Sequence, residues 1–365
     1  MAKPKKESLP EQGPKLNLVK EINLSSPVLG LDSTPDGRTF FAACMDGGVY
    51  QVDASTGKAE QLLKHESYAS GVWLLQKTKV VLSAGYDGAV QWYDLGKRQL
   101  IRKVQAHKFW SWQMAASPDE KLVASVTGQY LAGGYKYEPA PEQEPSIRIY
   151  DIRTGEPHAS FAHVPPVLSV AFSADSRHVA AANMMGEIRV YDLETKKQVV
   201  ACTTADFTSW GIIKSHHYIG GIFALSFTPD GKEIIAAGMG SMNDPMAGNG
   251  KQKWQRFAWR ENRKTSEIND SERGNGLMET LSFHPSRKYF LMAGRLAQGS
   301  WNTGFFDTDS GKLLHSADTK IRVTDAVFTN DGGQLILAGA IGQQKKKDNK
   351  APEAGRIKIY KCDVV

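Results

Sequence analysis

Residues 171–197 read AFSADSRHVAAANMMGEIRVYDLETKK, and this stretch decides the fold class. An apolar segment ends in a turn, and a run of small and β-branched residues follows. After a second turn the chain continues as EIRVYD. Alternation of apolar and polar residues is typical of a strand with one covered face, and Asp, Ser and Gly favour turns. The stretch therefore predicts three consecutive β-strands joined by tight turns.

The same pattern recurs along the chain, for example as SFTPDGKEIIAAGMG at 226–240 and VFTNDGGQLILAGAIG at 327–342. Aligned on the first turn, seven copies fall at residues 34–37, 76–79, 117–120, 173–176, 228–231, 284–287 and 329–332. The copy at 76–79 is degenerate. A "TGK" or "SGK" turn often follows the third strand and opens a fourth strand. Self-similarity at intervals of about 40 to 57 residues indicates a repeat architecture.

Seven units of four antiparallel strands predict an all-β fold, a seven-bladed β-propeller in which ring closure removes exposed sheet edges. The last unit has no fourth strand after it, whereas residues 15–24, KLNLVKEINL, form a lone strand before the first unit. We expect this N-terminal strand to complete the last blade. Residues 1–14 are then a disordered basic tail, and residues 15–365 form a single propeller.

The third strands carry a family resemblance. They end in Tyr93-Asp94, Tyr150-Asp151, Tyr191-Asp192 and Phe306-Asp307, and in this respect the chain resembles the WD-repeat propellers, whose third strands end in Trp-Asp. The second unit matches the family best. There the resemblance implies a structural hydrogen-bonded tetrad of His65, Ser83, Asp87 and Tyr93. In the fourth unit Met185 stands where the turn Asp would be, so we expect that tetrad to be broken.

Charge and composition bear on which kinds of partner and site the protein has. The net charge of +6 resides in the lysines of residues 1–20 and of residues 345–350, and the rest of the chain is balanced. This distribution makes a nucleic-acid partner unlikely, because such proteins usually present a broad basic face. Three widely spaced cysteines fit neither a disulfide framework nor a metal site. The chain has no apolar run of eighteen residues and no secretory signal, so we expect a cytoplasmic protein without a membrane partner.

The sequence carries no recognisable catalytic motif: no phosphate-binding loop, no dinucleotide fingerprint, no zinc-protease helix and no nucleophile elbow. The pair His216-His217 is dense, but adjacent strand residues point to opposite sides. We therefore expect a non-enzymatic protein with no cofactor and no metal. The alternative is a propeller enzyme, lactonase-like or a metal-dependent hydrolase, that uses the central channel.

The departures from the repeat suggest where binding occurs. We expect insertions at residues 129–145, 239–252, 295–302 and 341–354, all on one face. Connections on that face are rich in aromatic residues, which dominate protein–protein binding energy. The sequence therefore predicts an interaction scaffold that binds a protein or peptide there, while its own oligomeric state stays open. The candidate contact residues are Trp110, Trp210, Tyr218 and Trp301, with Tyr135 and Arg295 as second choices. Two alternatives stay open: these aromatics plug the gaps between blades, or the lysine loop Lys345, Lys346 and Lys347 makes the contact.

Overall fold

The computed structural model describes eight segments of the chain, namely residues 13–128, 145–164, 166–204, 207–210, 218–241, 250–269, 275–342 and 353–363. These residues form an all-β structure of antiparallel sheets. Five sheets are four-stranded, one is a two-stranded hairpin, and one is an eight-stranded sheet that consists of two four-stranded halves, sheets 5 and 6. They contain no α-helix and one short 3-10 helix, Trp259–Glu261. The all-β class and its repeated antiparallel sheets are therefore confirmed.

The strands follow one another as simple meanders. The N-terminal strand is β1 (Lys15–Leu24). Sheet 1 contains β2 (Val28–Ser33), β3 (Thr39–Cys44), β4 (Gly48–Asp53) and β5 (Ala59–Lys64). Sheet 2 contains β6 (Ala69–Leu75), β7 (Val80–Gly85), β8 (Ala89–Asp94) and β9 (Gln99–Gln105). Sheet 3 contains β10 (Ser111–Ala116), β11 (Leu122–Thr127), β12 (Ile147–Asp151) and β13 (Pro157–Phe161).

The second half of the chain repeats this arrangement. Sheet 4 contains β14 (Val167–Phe172), β15 (His178–Asn183), β16 (Glu187–Asp192) and β17 (Lys197–Thr203). A separate hairpin joins β18 (Thr208–Trp210) to β19 (Tyr218–Gly220). Sheet 5 contains β20 (Ile222–Phe227), β21 (Glu233–Met239), β22 (Gly250–Ala258) and β23 (Arg263–Asn269). Sheet 6 contains β24 (Asn275–Phe283), β25 (Tyr289–Gln298), β26 (Thr303–Asp307) and β27 (Leu313–Ala317). Sheet 7 contains β28 (Arg322–Phe328), β29 (Gln334–Ala340), β30 (Gly355–Asp363) and β1.

The turn between the first and second strands has the same geometry in every sheet. In five copies the Ser or Thr hydroxyl that opens the turn donates to the Asp two residues later, at 2.5–2.7 Å. The fourth turn residue has a positive φ, between 57° and 73°, in all seven copies. Glycine adopts this left-handed conformation without steric cost, and it occupies the position in three copies: Gly37, Gly231 and Gly332.

Hydrophobic clusters join each sheet to the next. Among the described residues, one cluster packs sheet 1 against sheet 2, and the same holds for each following pair up to sheets 6 and 7. A further cluster packs sheet 7 against sheet 1, with Ile336 and Ile357 on one side and Leu31 and Phe40 on the other. The first strands of consecutive sheets also contact one another, and β28 contacts β2. This arrangement is consistent with a β-propeller.

The N-terminal strand lies at the outer edge of sheet 7. β1 pairs antiparallel with β30 from Lys15↔Asp363 to Leu24↔Gly355, with a bulge at Val19. Its bounds are the residues 15–24 in which the sequence predicts a lone strand. Glu21 fixes the register, since its carboxylate lies 3.0 Å from both Arg356 Nε and Lys358 Nζ.

Two of the expected insertions are shorter than the sequence suggests. β25 continues to Gln298, so Arg295 belongs to a strand and only 299–302 connect β25 to β26. β22 begins at Gly250, two residues before the expected end of the insertion at 239–252. In both cases the strand extends beyond the repeat unit and pairs there with a neighbouring strand, through Arg295↔Leu277 and Gly250↔Gly276. Most of the insertions at 129–145 and 341–354 lie outside the described residues.

We expect Glu21→Gln to lower the free energy of unfolding by about 1 to 3 kcal/mol. The side chains of Arg356 and Lys358 are only 12% and 9% exposed, and the substitution leaves two cations that are largely buried without a carboxylate. The measurement is chemical denaturation followed by circular dichroism. Glu60→Gln is the matched control, because Glu60 pairs with Arg98 between two exposed side chains and such pairs contribute little. Equal losses in the two variants would show that the Glu21 ion pairs do not hold β1.

Candidate functional site

A buried polar set in sheet 2 positions the residues around it. His65 Nδ1 lies 2.9 Å from Asp87 Oδ1, and His65 Nε2 lies 3.0 Å from Ser83 Oγ. Burial by itself raises the pKa of Asp87, but the hydrogen bond from His65 and the backbone N–H groups of Ala89 and Glu66 lower it to about 2. The ionised carboxylate therefore anchors the turn between β7 and β8.

The order Ser83–His65–Asp87 is that of a nucleophilic triad, but its surroundings exclude that role. Ser83 is 0% exposed and His65 is 2% exposed, so no substrate carbonyl can reach the hydroxyl. The Ser83 hydroxyl also donates to the backbone carbonyl of Gly71 at 3.0 Å. The set is structural, because a serine nucleophile must be open to its substrate.

The expected fourth member of this set, Tyr93, lies elsewhere. Its side chain packs in the cluster between sheets 1 and 2, and among the described residues no hydrogen bond joins its hydroxyl to the other three. The strand register explains this difference: Gln91 lies opposite Ser83, and Tyr93 lies opposite Val81, two residues further along. The amide of Gln91 contacts His65 Nδ1 at 3.3 Å. Gln91 therefore occupies the place that the resemblance assigned to Tyr93.

The turn anchored by Asp87 presents Tyr86 to a group of stacked aromatic rings. We call Tyr68, Tyr86, Phe109, Trp110 and Trp112 the aromatic patch. Ring centroids are 5.4 Å apart for Tyr68–Tyr86, 4.8 Å for Tyr86–Trp110, 5.6 Å for Tyr86–Trp112 and 4.7 Å for Phe109–Trp110. Tyr68 is 41% exposed and Trp110 is 36% exposed. Rings in mutual contact on three different connections and on β10 form a rigid surface, since each ring limits the rotamers of its neighbours.

A charged pair lies beside the aromatic patch. Arg322 donates from Nε and Nη2 to the two carboxylate oxygens of Glu279, both at 2.7 Å. Burial raises the pKa of Glu279, against the lowering effect of Arg322. Burial also raises the pKa of Tyr86, to about 12, and both charges of the pair act on its hydroxyl. Bidentate pairing holds the guanidinium in one plane at the edge of the patch.

A cavity of about 470 Å³ runs along the first strands of all seven sheets. Glu279 lines it, as do Asp32 on β2 and Asp325 on β28. Asp325 accepts the backbone N–H of Leu31, and Asp32 accepts that of Leu74, at 2.8 and 2.6 Å. Each carboxylate therefore bridges its own sheet to the next sheet. Burial raises the pKa of Asp325 to about 6 and that of Asp32 to about 7, with a further rise in Asp32 from the nearby charge of Asp325.

The structure places the six candidate contact residues in different surroundings. Trp110 lies in the aromatic patch, and Arg295 is half-buried close to Arg322 and Glu279. Trp301 is only 4% exposed and packs between sheets 5 and 6, so its expected place on an exposed surface is wrong. Trp210 and Tyr218 lie opposite each other in the β18–β19 hairpin, but their side chains lie outside the described residues. Tyr135 also lies outside them.

Sequence reasoning missed several residues of the site. Tyr68, Tyr86, Glu279, Arg322, Asp32 and Asp325 were not singled out. Two signals were present: charged residues in first strands that are otherwise apolar, and an aromatic residue directly before the Asp-Gly of a tight turn. In the parts of the chain that the structure describes, no three His, Cys, Asp or Glu side chains converge as metal ligands do, and no helix is long and apolar enough to cross a membrane.

We expect Asp87→Ala to destabilise the protein by about 1 to 3 kcal/mol, because His65 loses a buried acceptor. Asp87→Asn retains a side-chain oxygen for His65 and should cost less. The measurement is the free energy of unfolding in urea for both variants and the parent. A loss in Asp87→Asn as large as that in Asp87→Ala would mean that the negative charge, not the hydrogen bond, holds the turn.

We expect the stabilities of the parent and of Asp32→Asn to diverge with pH. A carboxyl whose pKa is raised in the folded state binds protons more tightly there, so its contribution falls as pH rises from about 4 to about 7. Relative to the parent, Asp32→Asn should gain on the order of 1 to 3 kcal/mol over this range. Urea denaturation at several pH values measures it, with Asp309→Asn, at an exposed site, as the control. Parallel curves for the parent and Asp32→Asn would contradict the raised pKa.

No protein-family model and no curated protein matches this chain. The resemblance to the WD-repeat propellers therefore rests on the repeated turn, on the aromatic-Asp ends of the third strands and on the His65–Asp87–Ser83 contacts.

Proposed function

We propose that the chain is a seven-bladed WD-repeat β-propeller that acts as a non-enzymatic scaffold and binds a protein or peptide on the face that carries the aromatic patch. Support for the propeller comes from the hydrophobic clusters, which join the seven sheets in sequence order and then join sheet 7 to sheet 1. The pairing of β1 with β30 supports closure of the ring by both ends of the chain. In such a ring each sheet buries both of its faces.

The aromatic patch is the observation that carries the proposed binding function. Four of its residues lie on connections at the end of the sheets where first strands begin, and the fifth, Trp112, is the second residue of β10. Arg322, the first residue of β28, lies at the same end. Rigid tyrosine and tryptophan rings beside an arginine match the composition of energetic hot spots in protein interfaces. The exposed rings of Tyr68 and Trp110 both contact the ring of Tyr86, which distinguishes them from single exposed apolar residues.

The test uses peptides selected from a random displayed library against the intact protein. We expect Trp110→Ala to weaken the selected peptides by about thirtyfold, because truncation of a central interface aromatic typically costs about 2 kcal/mol. Tyr68→Ala should weaken them too. Leu100→Ala is the matched control, since Leu100 is 47% exposed on the outer strand β9 of the same sheet.

Melting temperatures of all variants separate lost binding from lost stability. The proposal fails if Trp110→Ala and Tyr68→Ala bind as tightly as the parent while replacement of Lys345, Lys346 and Lys347 by Ala abolishes binding. That outcome would assign the interaction to the lysine loop and to electrostatic attraction.

A further inference from the structure

The cavity along the first strands has walls of two kinds. Much of its lining is apolar and includes Leu29, Val72, Met114, Val170, Leu225 and Leu281. Trp73 also lines it, and this side chain is 37% exposed, although the strand before and after it is buried. An indole that remains accessible inside a cavity presents an apolar and electron-rich surface to whatever enters.

Carboxylates line one side of this cavity, on adjoining strands. Asp325 accepts the N–H of Leu31, the residue before Asp32, and therefore lies next to it. Asp32 in turn accepts the N–H of Leu74, the residue after Trp73. Asp325, Asp32 and Trp73 thus follow one another across β28, β2 and β6.

No cationic side chain among the described lining residues neutralises the carboxylates of the cavity. Of the described residues that line it, none is Lys, Arg or His. Glu279 is the third acidic residue of the lining, and it is already paired with Arg322. Each oxygen of Asp32 accepts one backbone N–H, from Ser33 or Leu74, and a carboxylate oxygen can accept two hydrogen bonds. Oδ1 of Asp325 accepts from Ala326 N–H and the Thr280 hydroxyl, whereas its Oδ2 accepts only from Leu31 N–H. Both oxygens of Asp32 and Oδ2 of Asp325 therefore retain acceptor capacity toward a positively charged group.

We propose that this cavity binds a slender organic cation: a primary ammonium group on an unbranched aliphatic chain. The ammonium has three N–H donors, which suits two neighbouring carboxylates, and it lies over the Trp73 ring. The methylene chain lies along the apolar walls and extends toward the end of the cavity at Glu279. No residue of the aromatic patch lines the cavity, so the occupancy of this site does not depend on the proposed scaffold function.

The pKa of Asp32 agrees with this assignment. Its rise to about 7 follows from burial and from the charge of Asp325, and a cation between the two carboxylates would reverse part of that rise. Binding of the ammonium near neutral pH therefore releases a proton from Asp32. Besides Asp325, the charged groups of the neighbouring elements are Glu279 and Arg322, which pair with each other, and Arg295 of β25, which lies close to both.

The experiment is calorimetric titration of the full chain with n-pentylamine at about pH 8, where both carboxylates are ionised. The neutral isostere 1-pentanol is the ligand control, and we expect pentylamine to bind at least about tenfold more tightly. Nα-acetyl-lysine N-methylamide distinguishes the source of the ammonium. Binding of this amide indicates a lysine side chain of a peptide, whereas binding of pentylamine alone indicates a free small amine.

Substitutions of the cavity residues test whether they bind the amine. Asp32→Asn and Asp325→Asn should each weaken pentylamine at least about tenfold, and Asp309→Asn should leave its affinity unchanged. Should either cavity variant fail to fold, Trp73→Leu keeps both carboxylates and is expected to weaken the amine about three- to tenfold. Near neutral pH, titrations in two buffers of different ionisation enthalpy should show the released proton.

Three results would overturn the proposal. Equal affinity for pentylamine and pentanol would mean that the cavity recognises only the alkyl chain. Unchanged affinity in the folded cavity variants would move the site elsewhere. Absence of saturable binding up to about 10 mM would mean that the cavity does not take the cation at all.

Discussion

The structure depends on the apolar contact between consecutive sheets. A four-stranded antiparallel sheet has two faces, and here the second strand of each sheet is buried on both. Neither face of such a sheet can be left to water, because each buried Val, Leu or Ile contributes roughly 1.5 to 3 kcal/mol only while it stays covered. Each sheet therefore needs two neighbours. The cluster between sheets 7 and 1 supplies the neighbour that a linear stack would lack at each end.

Polar side chains on the first strands add hydrogen bonds between consecutive sheets, which apolar residues cannot form. Asp325 and Asp32 accept backbone N–H groups of the next first strand, and Gln113 does the same for Val170. These strands face the cavity, so their outward N–H groups have no further strand to pair with. A buried N–H without a partner costs free energy comparable to a lost hydrogen bond. The carboxylates of Asp32 and Asp325 thus give the cavity its negative charge and also accept the hydrogen bonds of backbone N–H groups that line it.

The sequence predicted the repeat well because turn chemistry is local. The seven turns, the buried second strands and the bounds of β1 all follow from residues within a few positions of one another. The candidate site was predicted less well because it depends on register between strands. Gln91 reaches His65 only because it lies opposite Ser83, and Trp301 is buried only because sheet 5 packs over it. Neither fact can be read from spacing along one strand.

Asp87 links the buried polar set of sheet 2 to the aromatic patch. Its carboxylate is one of the groups that hold sheet 2 together, and the residue before it, Tyr86, is the central ring of the aromatic patch. A surface that binds a partner must hold its contact residues in place before the partner arrives, because side chains that are ordered only on binding lose entropy at that moment. The buried contacts among His65, Ser83 and Asp87 hold the turn that carries Tyr86 in place before any partner binds.

The pairing of β1 with β30 also determines when the molecule can be completed. Among the described strands, β1 is synthesised before all the others and its partner β30 after all the others. Until then β1 has no partner strand, and Ile22 and Leu24 lack the part of their cover that Ile357 and Ile359 supply. Contacts of such long sequence separation form slowly, and unpaired edges promote aggregation. The pairing of β1 with β30 therefore has to form after the strands between them have been made, and the edge of β30 stays open until it does.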